Sequence, residues 1–436
     1  MDIDHALDEV KKHPTRPCAL LWDESFLWGI MAWRAIREAG LPFDLLRFED
    51  VRKGALSRYR MIFVPGGWAS NKMSALGDQG MAEIRRFVAG GGNYLGICGG
   101  AGMATENGLG LLPITRKSQR ERVPSFSGPI RLTCDGHAMW QGLDRPVFFV
   151  WWPSQFQVED PAIKVLATYE EAQAGAFSAD INMVDGGTIG WSELEQRYGI
   201  LLDPSRLCGE PGVLEGRFGR GKVILSLVHF DTPGDRNGAN VLGNLWDLLC
   251  LYRPSGFPMD GKREPGRSFQ GVPKHILESI EETHASITDL IATGTRNFLW
   301  YWRNPLLLQW RRGVRGLEYS TLAAMIGEIK RRLGKPGDSG HDGRPVVAGT
   351  IDLSCWEENL KEIRQQLIPF CEKAKRLLIK ERLYMMNAPL SPVECLDTEI
   401  SRLRQELFAA AMSHGGQFKR LIDPIDRLLY QLIKEE

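Results

Sequence analysis

The residues best placed to do chemistry lie in Asn93-Tyr94-Leu95-Gly96-Ile97-Cys98-Gly99-Gly100-Ala101-Gly102, where one thiol sits among four glycines after a short apolar run. A buried structural cysteine packs like a small hydrophobe and needs no such backbone freedom. A nucleophile on a tight strand-to-helix turn does need it. If the strand ends at Ile97 and a helix begins after Cys98, the thiol meets unsatisfied N–H groups and the positive end of the helix dipole, which favour a thiolate. G-x-C-x-G is then the cysteine counterpart of the G-x-S-x-G elbow. Such a turn aims the Gly99 N–H at a developing oxyanion.

Two further segments supply what a thiol nucleophile requires. Pro65-Gly66-Gly67 is a second glycine turn after an apolar run, and Gly66 and Gly67 are candidates for substrate or oxyanion binding. Downstream, Gly219-Arg220-Gly221-Lys222-Val223-Ile224-Leu225-Ser226-Leu227-Val228 leads to His229, with Asp231 two residues on. An imidazole oriented by a carboxylate can exchange a proton with the thiol. Taken alone, His229 is equally a strand-end histidine, and Asp231 before Thr232-Pro233-Gly234 is equally a turn-former.

The elements that must hold these residues read as an α/β pattern. Strands are predicted at Cys18 to Trp22, Arg60 to Val64 and Tyr94 to Ile97, with helices at Phe26 to Ala39 and Met81 to Val88 between them. That alternation predicts a parallel sheet covered by helices. From about residue 125 to 228 short β-type runs replace the helical signal and extend the same sheet in mixed fashion. Pro254 to Pro265 reads as a linker. Beyond it, Ile276, Ile280, Ile287 and Ile291 share one helical face. So do Leu360, Ile363, Leu367, Phe370, Ala374 and Leu377, and so do Leu396, Ile400, Leu403 and Leu407. A bundle of about four helices follows, interrupted at Gly334 to Pro345. The expected organisation is an N-terminal extension (1–16), an α/β domain (17–253), a linker (254–271) and a helical domain (272–436).

Bulk properties narrow the function classes. The 436 residues carry 54 basic and 54 acidic side chains, with 27 against 31 up to residue 260 and 27 against 23 after it. This balance does not describe a nucleic-acid binder. Eight cysteines show no C-x-x-C pair, which fits reduced thiols in a cytoplasmic protein. The polar start lacks the apolar core of a signal peptide, and no window approaches a membrane span. Membrane association, a metal and a cofactor are not expected. Asn297 to Arg312 mixes aromatics with arginine; it suits either the aromatic core of a helical bundle or a face for a membrane or partner. Asp23 and Glu24 either line the site edge or cap the next helix.

With these residues in place, the chain resembles the class I glutamine-amidotransferase-like superfamily over roughly residues 17–250. The resemblance rests on GICGG, VPGG and VILSLVHFD. It is closer to the branch typified by the biotin-protein ligase N-terminal domain, through Leu21-Trp22-Asp23-Glu24, Gly136-His137-Ala138-Met139-Trp140-Gln141-Gly142-Leu143 and Gly219-Arg220-Gly221-Lys222-Val223. The resemblance implies a flavodoxin-like fold, Cys98 as nucleophile, His229 as base, and Gly67 with Gly99 as oxyanion donors. Two positions depart from the pattern: Asp231 stands where glutamate is usual, and Trp68 directly follows the glycine turn. Glu215 to Lys222 superficially suggests a ligase adenylate loop, but it reads as a hairpin turn, and the rest of the chain is helical rather than a ligase core. The expected activity is a cysteine-dependent amidotransferase or hydrolase acting through a thioester on a small amide or acyl substrate. The other expectation is a degenerate amidotransferase-like binding module. In either case the helical domain could dock a protein partner.

Overall fold

The computed structural model describes residues 16–252, 272–333, 353–388, 397–409 and 413–434. The predicted N-terminal extension, the linker and the Gly334–Pro345 break therefore lie largely or wholly outside the described residues. The chain divides into two compact units, Met1–Lys262 and Arg263–Glu436.

The first unit is built on an 11-stranded mixed sheet. Its parallel part comprises β1 (Arg16–Leu21), β2 (Asp44–Leu46), β3 (Tyr59–Val64), β4 (Asn93–Ile97) and β9 (Gly221–Ser226), in the order β9-β4-β3-β1-β2. Met61 to Val64 on β3 and Tyr94, Leu95 and Ile97 on β4 are all fully buried. Successive strand residues point to opposite faces, so burial of every one requires cover on both sides. Helix α1 (Leu27–Glu38) follows β1, α2 (Ala69–Ala89) joins β3 to β4, α3 (Gly99–Met103) follows β4, and α4 (Arg236–Cys250) follows β9. Helix α2 starts well before the predicted Met81 because the polar stretch after Gly67 is helical too, interrupted at Gly77 (φ 67°).

The antiparallel part continues from β9 through β8 (Pro211–Phe218), β7 (Lys164–Ala172) and β5 (Phe126–Cys134), with β6 (Val147–Trp151) also paired to β5. Segments Phe177–Ser178 and Ile181–Asn182 complete this end. Gly219 and Arg220 form the two-residue turn between β8 and β9, so the Glu215–Lys222 stretch is a hairpin. Two short helices, Met183–Ile189 and Trp191–Tyr198, also occupy this region, contrary to the expected loss of helix. They bury only Gly186 and Leu194, too few apolar positions for a helical period to register.

The second unit holds five helices among its described residues: α5 (Lys274–Arg296), α6 (Gly316–Leu333), α7 (Leu353–Met385), α8 (Thr398–Phe408) and α9 (Gly416–Lys434). Helix α7 packs on α5, α8 and α9, and α6 packs on α5 and α9. Every described residue of the predicted apolar faces is buried, as in Ile280, Ile363 and Leu403. The aromatic-arginine stretch forms a hairpin of β10 (Trp300–Trp302) and β11 (Leu308–Trp310), not a helix. Its residues divide: Trp300 is buried and donates from Nε1 to the Ile291 carbonyl at 2.9 Å, whereas Phe298, Tyr301 and Trp302 are exposed. No described helix is long and apolar enough to cross a membrane.

Candidate active site

Three neighbouring parallel strands deliver the predicted residues to one edge. Val64 pairs with Gly96, and Ile97 pairs with Ser226, so β3, β4 and β9 end in register. Pro65-Gly66-Gly67, Cys98 and the segment to His229 therefore leave the sheet side by side, at the carboxyl ends where open α/β sheets place their ligands. The Cys98 N–H donates to the Ser226 carbonyl at 2.7 Å, tying the thiol-bearing turn to the strand that leads to the imidazole.

Cys98 has φ 52° and ψ −107°, a conformation sparsely populated for any residue with a side chain. Holding it costs on the order of 1–3 kcal/mol, and such strain concentrates at functional sites. The glycines around it are explained by contact. A Cβ on Gly99 would sit 1.8 Å from the Gly67 carbonyl oxygen, and one on Gly100 would sit 1.9 Å from the Val64 carbonyl oxygen. The elbow thus packs backbone to backbone against β3 and its glycine turn. Gly67 itself has φ 116° and lies against the Glu24 carbonyl oxygen, so the turn after β1 supports the one after β3.

His229 and Asp231 are both completely buried, and Nδ1 meets the Asp231 carboxylate at 2.8 Å. Aspartate therefore reaches the ring despite its shorter arm. The other ring nitrogen, Nε2, is buried without a hydrogen-bond partner, as is Asp231 Oδ2. Burial opposes a charge on the imidazole, but Asp231 and then the Cys98 thiol outweigh it, and His229 is pushed up to about 10. The Cys98 sulfur lies 4.0 Å from the Trp151 carbonyl oxygen. Its neighbourhood also includes the Tyr169 hydroxyl, which is buried, unpartnered and pushed far upward by burial and then by Cys98.

Several contributors fall outside the sequence reading. Trp28 on α1 lies 5.0 Å from His229, ring centre to ring centre, and 6.3 Å from Trp152. Trp152 follows β6 with φ 48°. Lys72 on α2 is fully buried and donates to Ser25 Oγ at 2.5 Å and to the Asp23 carbonyl at 3.3 Å, beneath the Gly67 turn. Asp23 does not cap α1; its carboxylate binds the Arg47 guanidinium and the Phe48 N–H, both at 2.5 Å. In the Gly136–Leu143 stretch, His137 Nδ1 accepts from the Met139 N–H and Trp140 Nε1 donates to Asp135, an internal scaffold rather than part of the site.

The mixed sheet and its elbow define an α/β domain with a cysteine at the turn between β4 and α3. Within it, residues 56–108, which span β3, the glycine turn, β4 and the elbow, match the family described as Biotin-protein ligase, N terminal. No curated protein matches the chain in sequence. Among solved structures it is similar to a protein described as a subunit of GMP synthase, from Thermoplasma acidophilum (13% identity, 55% of this chain and 96% of that one, TM-score 0.35). It is similar to a cytoplasmic protein from Salmonella typhimurium LT2 (13%, 54% and 99%, TM-score 0.33). It also resembles a beta-galactosidase from Bacillus circulans (14%, TM-score 0.34), where 54% of this chain is covered but only 31% of the other.

Proposed function

We propose that the first unit is a cysteine-dependent amidotransferase or hydrolase that acts on a small amide or acyl substrate through a thioester. The observation that carries this reading is the strained Cys98 turn facing a buried Asp231–His229 pair whose Nε2 has no partner. A cationic imidazole beside the sulfur favours the nucleophilic thiolate. Sulfur attacks the substrate carbonyl, and the Gly99 and Gly67 turns flank the oxyanion. The C–N or C–O bond then breaks as His229 gives its proton to the leaving group. Water, deprotonated by His229, attacks the thioester, releasing acid and restoring the thiol.

The test is site-resolved alkylation by iodoacetamide, followed across pH. Cys98 is expected to react faster than the exposed Cys208 below neutrality, and His229→Ala is expected to remove the advantage. Equal rates at Cys98 in the parent and in His229→Ala would mean the two residues are not a unit, leaving a binding module.

A further inference from the structure

Lys72 is a fully buried cation that the proposed mechanism does not use. Its N–H closes the first turn of α2 on the Trp68 carbonyl at 3.0 Å. A cation there opposes the positive end of the helix dipole, and taking an ammonium out of water adds a desolvation cost. Where one residue breaks two rules of stability at once, a functional constraint is the usual reason.

The ammonium joins two loops. Nζ donates to Ser25 Oγ at 2.5 Å and to the Asp23 carbonyl at 3.3 Å, both in the turn after β1. Glu24 between them has φ 55°, and its carbonyl oxygen lies 2.6 Å from where a Cβ on Gly67 would be. The Lys72 side chain also lies against that position, with Cε at 3.2 Å and Nζ at 3.6 Å. Gly67 in turn meets the elbow: a Cβ on Gly99 would sit 3.0 Å from the Gly67 nitrogen as well as against its carbonyl. Lys72, Gly67 and Gly99 thus form one stack, clamped by residues 23–25.

We propose that Lys72 is a positioning residue for the oxyanion. Its ammonium ties the turn after β1 to the turn after β3, fixes the Gly67 backbone against Gly99, and keeps a positive charge next to both. Donors held in place beforehand need no rearrangement when negative charge develops on the substrate oxygen. A neutral side chain of similar length would fill the space without drawing the two acceptors together. The assignment rests on Cys98 being the nucleophile, with Gly67 and Gly99 flanking its oxyanion.

Two reagents separate this role from a merely structural one. With p-nitrophenyl acetate, sulfur bonds to the carbonyl carbon, negative charge develops on the oxygen, and the C–O bond breaks to release p-nitrophenolate and leave a thioester. With iodoacetamide, sulfur displaces iodide and no oxyanion forms. Both reactions are followed at early times by site-resolved mass spectrometry, with the exposed Cys208 as reference. The acylation-to-alkylation rate ratio at Cys98 is expected to exceed that at Cys208 in the parent. It should fall about tenfold in Lys72→Met, because a misplaced donor loses much of its effect. Ser25→Ala, which removes one acceptor of the ammonium, should lower it by a smaller factor and decides the matter if Lys72→Met does not fold. General loosening of the elbow would slow both reactions together and leave the ratio where it was. An unchanged ratio in these variants, or equal ratios at the two cysteines in the parent, would overturn the role of Lys72 while leaving Cys98 as nucleophile. A Cys98 inert to both reagents would instead sink the nucleophile reading, and this role with it.

Discussion

The two units bury ionisable groups differently. In the helical unit Glu381 is met by Arg404 at 2.8 Å, Glu328 by Arg332 at 2.7 Å and Glu318 by Arg315 at 3.0 Å. In the first unit Asp231 meets His229 at 2.8 Å, but His229 Nε2, Asp231 Oδ2 and Tyr169 Oη are buried with no partner. Burying a polar atom unpaired is costly, so most proteins avoid it. Both units leave some buried atoms unpaired, Tyr319 Oη and Trp356 Nε1 in the helical one, but there the buried glutamates each meet an arginine, whereas the first unit leaves the far nitrogen of its buried imidazole and the second oxygen of its carboxylate open.

Arg404→Leu gives the largest expected effect. It strands Glu381 in the core and should cost about 3–5 kcal/mol in urea unfolding, with Glu381→Leu/Arg404→Leu recovering most of it. A neutral single variant would break the comparison. Gly99→Ala should follow, since its methyl would overlap the Gly67 carbonyl; overpacking of this kind costs about 1–3 kcal/mol or more. Tyr169→Phe has the opposite sign. Removing an unpartnered buried hydroxyl should leave stability unchanged or raise it by about 1 kcal/mol, and a clear loss would mean the hydroxyl is satisfied within the fold.

The last prediction is read as a slope across pH rather than as a single midpoint shift. His229 is raised from 6.5 to about 10, so its contribution to stability is full below about pH 6.5 and is lost as pH rises through about 10. Unfolding midpoints between pH 7 and 10 should therefore fall more steeply in the parent than in His229→Gln. Parallel curves would show that the imidazole carries no extra proton in the folded protein.

The parts of this site legible in the sequence are those that terminate buried parallel strands. Apolar runs ended by Pro65-Gly66-Gly67, by Cys98 and near His229 announce both the strand and its end, and the sheet order aligns those ends. Trp28 and Tyr169 are hidden for a different reason. Trp28 belongs to an apolar helix face that reads as core. Tyr169 sits on the antiparallel strand β7. Their approach to the site depends on packing between segments far apart in the chain, which no local period encodes. The Trp300 hairpin is illegible on similar grounds: a buried Trp300 suits a helix or a strand, and only its pairing with Trp310 decides.

The hydrogen bond from the Cys98 N–H to the Ser226 carbonyl has a mechanical consequence. A twist or slide of β9 carries His229 with it, but it also drags the elbow, because the two backbones are fastened at the point where both leave the sheet. The Phe149 carbonyl accepts the His229 N–H at 2.9 Å and anchors the same unit to β6. Fluctuations of the sheet are thereby shared by sulfur and imidazole as a common displacement.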